Sequence, residues 1–393
     1  MIKYLKIWSL LVILPISLIA QNDVDSVLSQ IEKNNTTLSS LRKSVEAEKI
    51  GNKTGIYLQN PEFGFNYLWC DPTSVGTRRD INIKQSFDFP TAYGYRRQIS
   101  EYRNVQADLD YQKQRKGILL EARLLCIEVI YTNALISEYQ GRLSSAQDLA
   151  DAYQTMYDKG EVGILEYNKA QLDLLNIKKE VEAVIVERSA YLKQLSALNG
   201  GLPIVLNSYT FQAPQIPSDF DQWYSQSEQS NPALLWLDQE IQLSQQQEKL
   251  NRALTLPKAS AGYMSENQIS EHFQGITVGV TIPLWENKNM VKYTQAQTSA
   301  WQSMVSDYKL QFYNQLKIQY EKAVSLQNMV SEYRQSLLMY QNTELLKKAL
   351  DKGEISLLNY LMELSLAYSS IDKFMRYENE FNKAVVLLYQ YQD

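Results

Sequence analysis

The chain has 27 tyrosines among its 393 residues but a single histidine, His272. One imidazole all but excludes catalysis by a histidine triad, and it rules out a metal site built from several histidines. Cysteine is nearly as scarce. Cys70 falls at the outer end of a predicted strand and Cys126 well down a predicted helix, beyond disulfide reach, so two free structural thiols are expected. There is no excess of Lys and Arg either. A formal net charge of −5 argues against nucleic acid as a partner, because phosphate binding needs clustered basic side chains. The sequence contains no phosphate-binding glycine loop, dinucleotide fingerprint, zinc spacing or nucleophile elbow, so neither enzyme nor cofactor is expected. Beyond the first twenty residues no stretch is apolar enough for a membrane helix. Any insertion into a bilayer must therefore use strands.

The N-terminus reads as an address. Lys3 and Lys6 precede an apolar run from Ile7 to Ile19, and Ala20-Gln21 offers a small residue at a cut, so residues 1–20 are expected to be a secretory signal peptide. Its removal leaves 37 basic against 44 acidic residues, a net charge of −7. No cysteine follows the run, which argues against lipid attachment there.

From Asp23 to about Ile50 the apolar residues Val27, Ile31, Leu38, Leu41 and Val45 recur with helical spacing. Strict alternation then puts Phe63, Phe65, Tyr67 and Trp69 on one face of a strand. A polar loop over 71–77 leads to a second strand with Ile81, Ile83, Phe87 and Phe89. From about Ala92 to Asp158 the helical pattern carries a coiled-coil seam that includes Ile136, Tyr139, Leu143 and Ala146. A turn at Lys159-Gly160 and a helix from about Ile164 to Leu198 complete the plan.

The plan then repeats. Asn231-Pro232 opens a helix to about Leu254, and Asn35, Leu38, Leu41 and Pro61 correspond to Asn231, Leu234, Leu237 and Pro257 at a constant offset of 196. Strand-like Ala259 to Met264, a polar loop holding His272, and the alternating Ile276, Val278, Val280 and Ile282 form a second hairpin. Helix returns from about Asn289 to Leu350. The turns themselves are near copies, Asp158-Lys159-Gly160-Glu161 and Asp351-Lys352-Gly353-Glu354, offset by 193. The predicted organisation is thus a signal peptide (1–20), a first structural repeat (21–200, strand pair about 58–90), a connector (201–230) and a second repeat (231–393, strand pair about 257–285). Each repeat reads helix–β-hairpin–long helix–turn–helix. The fold class is mainly α with a transmembrane β part, whose lipid-facing strand residues are Phe63, Phe65, Tyr67, Trp69, Ile276, Val278, Val280 and Ile282. Four strands cannot close a barrel, so closure requires several chains.

On these features the chain resembles the TolC family of outer-membrane efflux channels over essentially its whole mature length. The Gly-containing turn followed by an apolar-rich helix appears at Lys159 to Leu172 and again at Lys352 to Leu364. The family's strand exit appears as Thr281-Ile282-Pro283-Leu284-Trp285, with Asp88-Phe89-Pro90 in the first half. Residues 283–289 and the run from Asp88 to Arg97 resemble the heavy-metal (cation) efflux branch. The resemblance implies a homotrimer with a twelve-stranded barrel in the outer membrane, continued by an α-helical barrel in the periplasm of a Gram-negative bacterium. It implies partners as well: outer-membrane lipid, a periplasmic adaptor and an inner-membrane pump. On the same resemblance Lys159, Gly160, Glu161, Lys352, Gly353 and Glu354 are the tip turns that dock the adaptor, and Glu166 and Asn359 ring the entrance constriction. Asn359 stands where an acid is common, and Ile355 where some members carry a base, so a ring weak in charge is expected.

The function so implied is a passive exit duct of a tripartite efflux system. Two alternatives stand beside it: a periplasmic coiled-coil scaffold or adaptor, and the exit duct of a type I protein-secretion system. The aromatic face of the first strand discriminates against the scaffold, since uncovered it would be a large exposed apolar patch.

Overall fold

The computed structural model describes residues 17–70, 76–212, 214–269, 271–339 and 343–392. The predicted signal peptide lies outside them apart from 17–20, and most of the polar loop over 71–77 does too. In chain order the elements are α1 (Ser17–Asn34), α2 (Thr36–Gly51), β1 (Glu62–Trp69), β2 (Thr77–Phe87), α3 (Pro90–Asp158), α4 (Ile164–Leu198), α5 (Phe220–Ser230), α6 (Pro232–Ala253), β3 (Lys258–Asn267), β4 (His272–Thr281), α7 (Met290–Met339), α8 (Thr343–Asp351) and α9 (Leu357–Leu388). The 69 residues of α3 run without an internal proline. At 1.5 Å per residue they extend roughly 100 Å.

The chain divides into two compact units that cut across the sequence repeats. One comprises Met1–Leu38, Arg115–Trp223 and Gln315–Asp393, the other Ser39–Gln114 and Tyr224–Asn314. Each therefore takes segments from both repeats.

The second unit holds all four strands in one antiparallel sheet of order β1-β2-β3-β4. The two hairpins join through β2 and β3, where Ile83 faces Tyr263 and Ile81 faces Ser265. Helix segments of the same unit are tied by polar side chains. Lys49 of α2 pairs with Asp108 of α3 at 2.6 Å, Trp236 Nε1 of α6 donates to Asp110 at 3.0 Å, and Asn251 donates to Thr294 of α7 at 2.8 Å. Ala92, Ile99, Leu250 and Ala253 form a small apolar core between α3 and α6.

The first unit is built on helix seams. Val27, Leu28 and Ile31 of α1 pack on Ala122, Cys126, Val129 and Ile130 of α3, with Leu195 of α4 and Leu206. In the second repeat Ala323, Leu326 and Val330 of α7 pack on Phe381, Ala384 and Val385 of α9. Cys126 is buried here, Cys70 is exposed just past β1, and both are free thiols.

Several local expectations are corrected. The helix predicted from Asp23 to Ile50 is broken at Asn35, whose buried side chain accepts from the Leu38 N–H at 2.9 Å and donates to the Leu198 carbonyl at 2.7 Å. It caps α2 as Asn231 caps α6, by accepting from the Ala233 N–H at 2.9 Å. Within 201–230 lies a helix that the sequence reading did not name, α5, which precedes Asn231 as α1 precedes Asn35. Its Phe220 and Trp223 are buried against Tyr320 and Tyr389. The proline-marked approach hid this amphipathic turn. His272 lies in no loop; it is the first residue of β4, paired with Asn267. Ile282 is exposed but sits one residue past the end of β4, because Pro283 follows and cannot donate to a ladder. The single helix predicted from Asn289 to Leu350 is described as α7 and α8, with 340–342 outside the described residues. Along α3 the predicted seam residues Ala122, Val129, Thr132, Ala146, Ala150 and Tyr153 are buried, but between Thr132 and Ala146 the buried positions are Leu135 and Arg142, with Ile136, Tyr139 and Leu143 only half-buried.

Candidate functional site

The two matched turns fold alike because their sequences end a helix in the same way. At Gly160 φ is 73° and at Gly353 it is 71°. In the first turn Glu161 N–H donates to the Met156 carbonyl at 2.8 Å and Gly160 N–H to Tyr157 at 2.9 Å. In the second, Glu354 N–H donates to Ala349 and Gly353 N–H to Leu350, both at 2.9 Å. These are paired Schellman closures, which need a residue in the left-handed region at the glycine. Lys159, Glu161, Lys352 and Glu354 are exposed, and Lys352 lies 4.0 Å from Glu354.

The turns differ at the entry to the next helix. Ser356 caps α9, its Oγ accepting from the Asn359 N–H at 3.2 Å, whereas Gly163 begins α4 with no side-chain cap. A Cβ at Gly163 would stand 2.9 Å from Glu166 Oε2, so the missing side chain is what lets Glu166 fold back. Glu166 is half-buried and Asn359 exposed, each the third residue of its helix. Burial, and secondarily the Glu166 charge, push the Tyr153 phenol up. The structure brings the two turn regions into one cluster: Tyr153 and Ala170 from the first repeat pack with Leu357, Tyr360 and Leu364 from the second. Tyr157 stacks on Tyr167 with ring centroids 5.1 Å apart.

Beside that cluster lies a tie between the repeats that the sequence reading missed. Arg142 of α3 has only 4% of its side chain exposed. Its Nη2 and Nη1 donate to the two oxygens of Asp372 on α9 at 2.7 and 3.2 Å, and its Nε donates to Glu138 at 3.0 Å. The guanidinium also lies 4.7 Å from the Tyr139 ring centroid and 4.2 Å from that of Tyr368. Burial opposes the charge, yet the bonds to Asp372 and Glu138 leave Arg142 above its ordinary value. Burial pushes the Tyr139 and Tyr368 phenols up to about 12. A cavity of about 580 Å³ opens next to Arg142, with Asp173 and Glu180 of α4 on its wall. Burial raises both carboxyls, and for Glu180 the Asp372 charge adds to it. The only sequence signal was a basic residue next to Leu143 in the predicted seam, at a position that the structure buries in its place.

In the other unit, the strand register gathers the alternating apolar residues on a single face. Phe63 faces Ile83 and Phe65 faces Ile81 across β1 and β2; Tyr263 faces Ile276 and Ala261 faces Val278 across β3 and β4. Every one of Phe63, Phe65, Tyr67, Trp69, Ile276, Val278 and Val280 is exposed, with Ile276 at 84% and Trp69 at 79%. The opposite face is mostly polar, although Leu68 and Phe273 are exposed on it, and there Arg78 binds Asp80 and Glu266, each at 2.7 Å. The outer strands β1 and β4 each have one edge without a partner strand among the described residues.

Solved outer-membrane channels share this fold. One, described as CusC and its transmembrane channel formation, aligns over 94% of this chain and 92% of its own, with a TM-score of 0.78 and 13% identity. The chain has the fold of these solved outer-membrane proteins. The Campylobacter jejuni outer-membrane channel CmeC matches with a TM-score of 0.78 at 13% identity, over 94% of this chain and 85% of that one. The Vibrio cholerae outer-membrane protein VceC matches at 0.71 and 10% identity, over 95% and 97%. No protein-family model and no curated protein matches the sequence. At such low identity the shared feature is the fold, carried by spacing and periodicity and not by particular side chains.

Proposed function

We propose that the chain is the outer-membrane channel subunit of a tripartite efflux system, a passive exit duct that takes its energy from an inner-membrane pump through a periplasmic adaptor. The observation that carries this reading is the sheet: one face largely apolar and exposed, the other mostly polar, with no partner strand at either outer edge among the described residues. Unpaired strand edges in hydrocarbon cost several kcal/mol per group, so β4 of one copy must pair with β1 of another until the sheet closes. Three copies of four strands give a twelve-stranded barrel, within the range that such barrels use. Exposed Leu165 and Leu172 on α4, and Leu358, Met362 and Leu366 on α9, supply apolar stripes for packing neighbouring subunits into the helical part.

On this reading Lys159, Gly160, Glu161 and Lys352, Gly353, Glu354 are the adaptor-docking tips. Glu166 and Asn359 are the entrance ring, which carries one acid per subunit. A soluble scaffold would leave the apolar sheet face in water, so the membrane is favoured as its solvent. Cell fractionation tests the reading. The protein should appear in the outer-membrane fraction as a trimer resistant to mild detergent, and its deletion should sensitise the strain to some of a panel of metal salts, dyes, detergents and antibiotics. Recovery as a soluble periplasmic monomer would overturn it.

A further inference from the structure

Among the described residues, the apolar face of the sheet carries one formal charge, Arg79. It sits in a row set by register: Tyr67 faces Arg79 on β2, Arg79 faces Asn267 on β3, and Asn267 faces His272 on β4. The preceding residue, Arg78, points to the polar face and is spent on Asp80 and Glu266. Arg79 is exposed and makes no ion pair among the described residues; its guanidinium lies 5.7 Å from the centroid of the Tyr67 ring. Asn267 and His272 are exposed as well.

A bare guanidinium facing hydrocarbon is strongly disfavoured near the midplane of a barrel and tolerated at its rims. The row lies at the hairpin end of the sheet, away from the ends that lead into α3 and α7, and two residues beyond the Phe65–Ile81 pair. At roughly 3.3 Å per residue, that is about 7 Å above the last wholly apolar cross-strand pair. This is the height of headgroups, and Tyr67 and Trp69 are the amphipathic rings that favour it. On the function proposed above, on which this inference rests, that end faces the outer leaflet.

We propose that the row Tyr67–Arg79–Asn267–His272 docks the phosphate of an anionic lipid in the outer leaflet. The guanidinium presents a planar pair of donors that matches phosphate, and the amide of Asn267 and the imidazole N–H of His272 add further donors on the two strands beyond it. The lipid's acyl chains then lie along Phe65, Ile81 and Ile83 on the same face. That continuity between charge and apolar surface selects a lipid over free phosphate.

The test uses the purified full-length channel in detergent and native mass spectrometry, with bisphosphorylated lipid A and its dephosphorylated form as probes. Wild type should retain the phosphorylated lipid at least tenfold more tightly. Arg79→Gln should erase most of that preference, Arg79→Lys should keep part of it, and all three should yield the same outer-membrane trimer. Equal retention of both lipids by wild type overturns the proposal without needing any variant to fold. Competition by inorganic phosphate at equal molar ratio overturns it too, because the site would then take the anion alone. Absence of a wild-type trimer would instead refute the channel reading.

Discussion

Breaking the tie between Arg142 and Asp372 is the sharpest test of how the two repeats are held together. Asp372→Asn keeps the shape and removes one charge. Taking one partner from a fully buried ion pair costs about 3–5 kcal/mol. Here the Asp372 side chain is 37% exposed and Glu138 remains 3.0 Å from Arg142, so solvent and a second carboxylate absorb part of the loss. The expected cost is about 2 kcal/mol, the residual penalty of a guanidinium with 4% exposure that has lost its better partner. Equilibrium unfolding is poorly defined for the membrane oligomer proposed above, so the readout is amide exchange in α9 around Tyr368 to Arg376. A cost of about 2 kcal/mol corresponds to exchange faster by about 30-fold in those amides. Arg142→Met, which also removes both ring contacts, should produce a comparable effect, and the double variant should be little worse than either single one. Additive single effects would refute the reasoning, since they would show that the two side chains do not share one interaction.

Two further outcomes follow from the turn and cavity geometry. Gly160→Val and Gly353→Val should each destabilise their turn by about 1–2 kcal/mol, the cost of a left-handed non-glycine residue. A Cβ would meet nothing within 4 Å at either glycine, so the cost is one of backbone conformation and the two should be equal in thermal melting; on the function proposed above, efflux unchanged in the double variant would count against a docking role for the turns. Asp173 is raised by burial, so the folded state holds its proton better than the unfolded chain does. Its contribution is therefore favourable below the ordinary carboxylate range and is lost as pH rises from there through the raised value. Asp173→Asn should raise the melting temperature at pH 7 and leave it nearly unchanged at pH 4; a loss of stability at pH 7 would mean the carboxylate has a cationic partner that matters more than its burial.

The strand hairpins, the long helices and the twin turns were legible in the sequence because each follows from a local periodicity or from a glycine that must adopt positive φ. Phe63, Phe65, Tyr67 and Trp69 share a face in any pleated strand, and Gly160 and Gly353 end a helix wherever they stand. The four-strand count is also what led the sequence reading to expect several copies for a closed barrel. What local pattern could not decide is which elements meet across long separations in the chain. The joining of the two hairpins through Ile83 and Tyr263, and the interleaving of both repeats in each compact unit, are matters of packing. So is Arg142, placed by the sequence beside the seam and by the structure within it, because Asp372 lies 230 residues away and only the tertiary fold brings that carboxylate close enough to make burying a guanidinium tolerable.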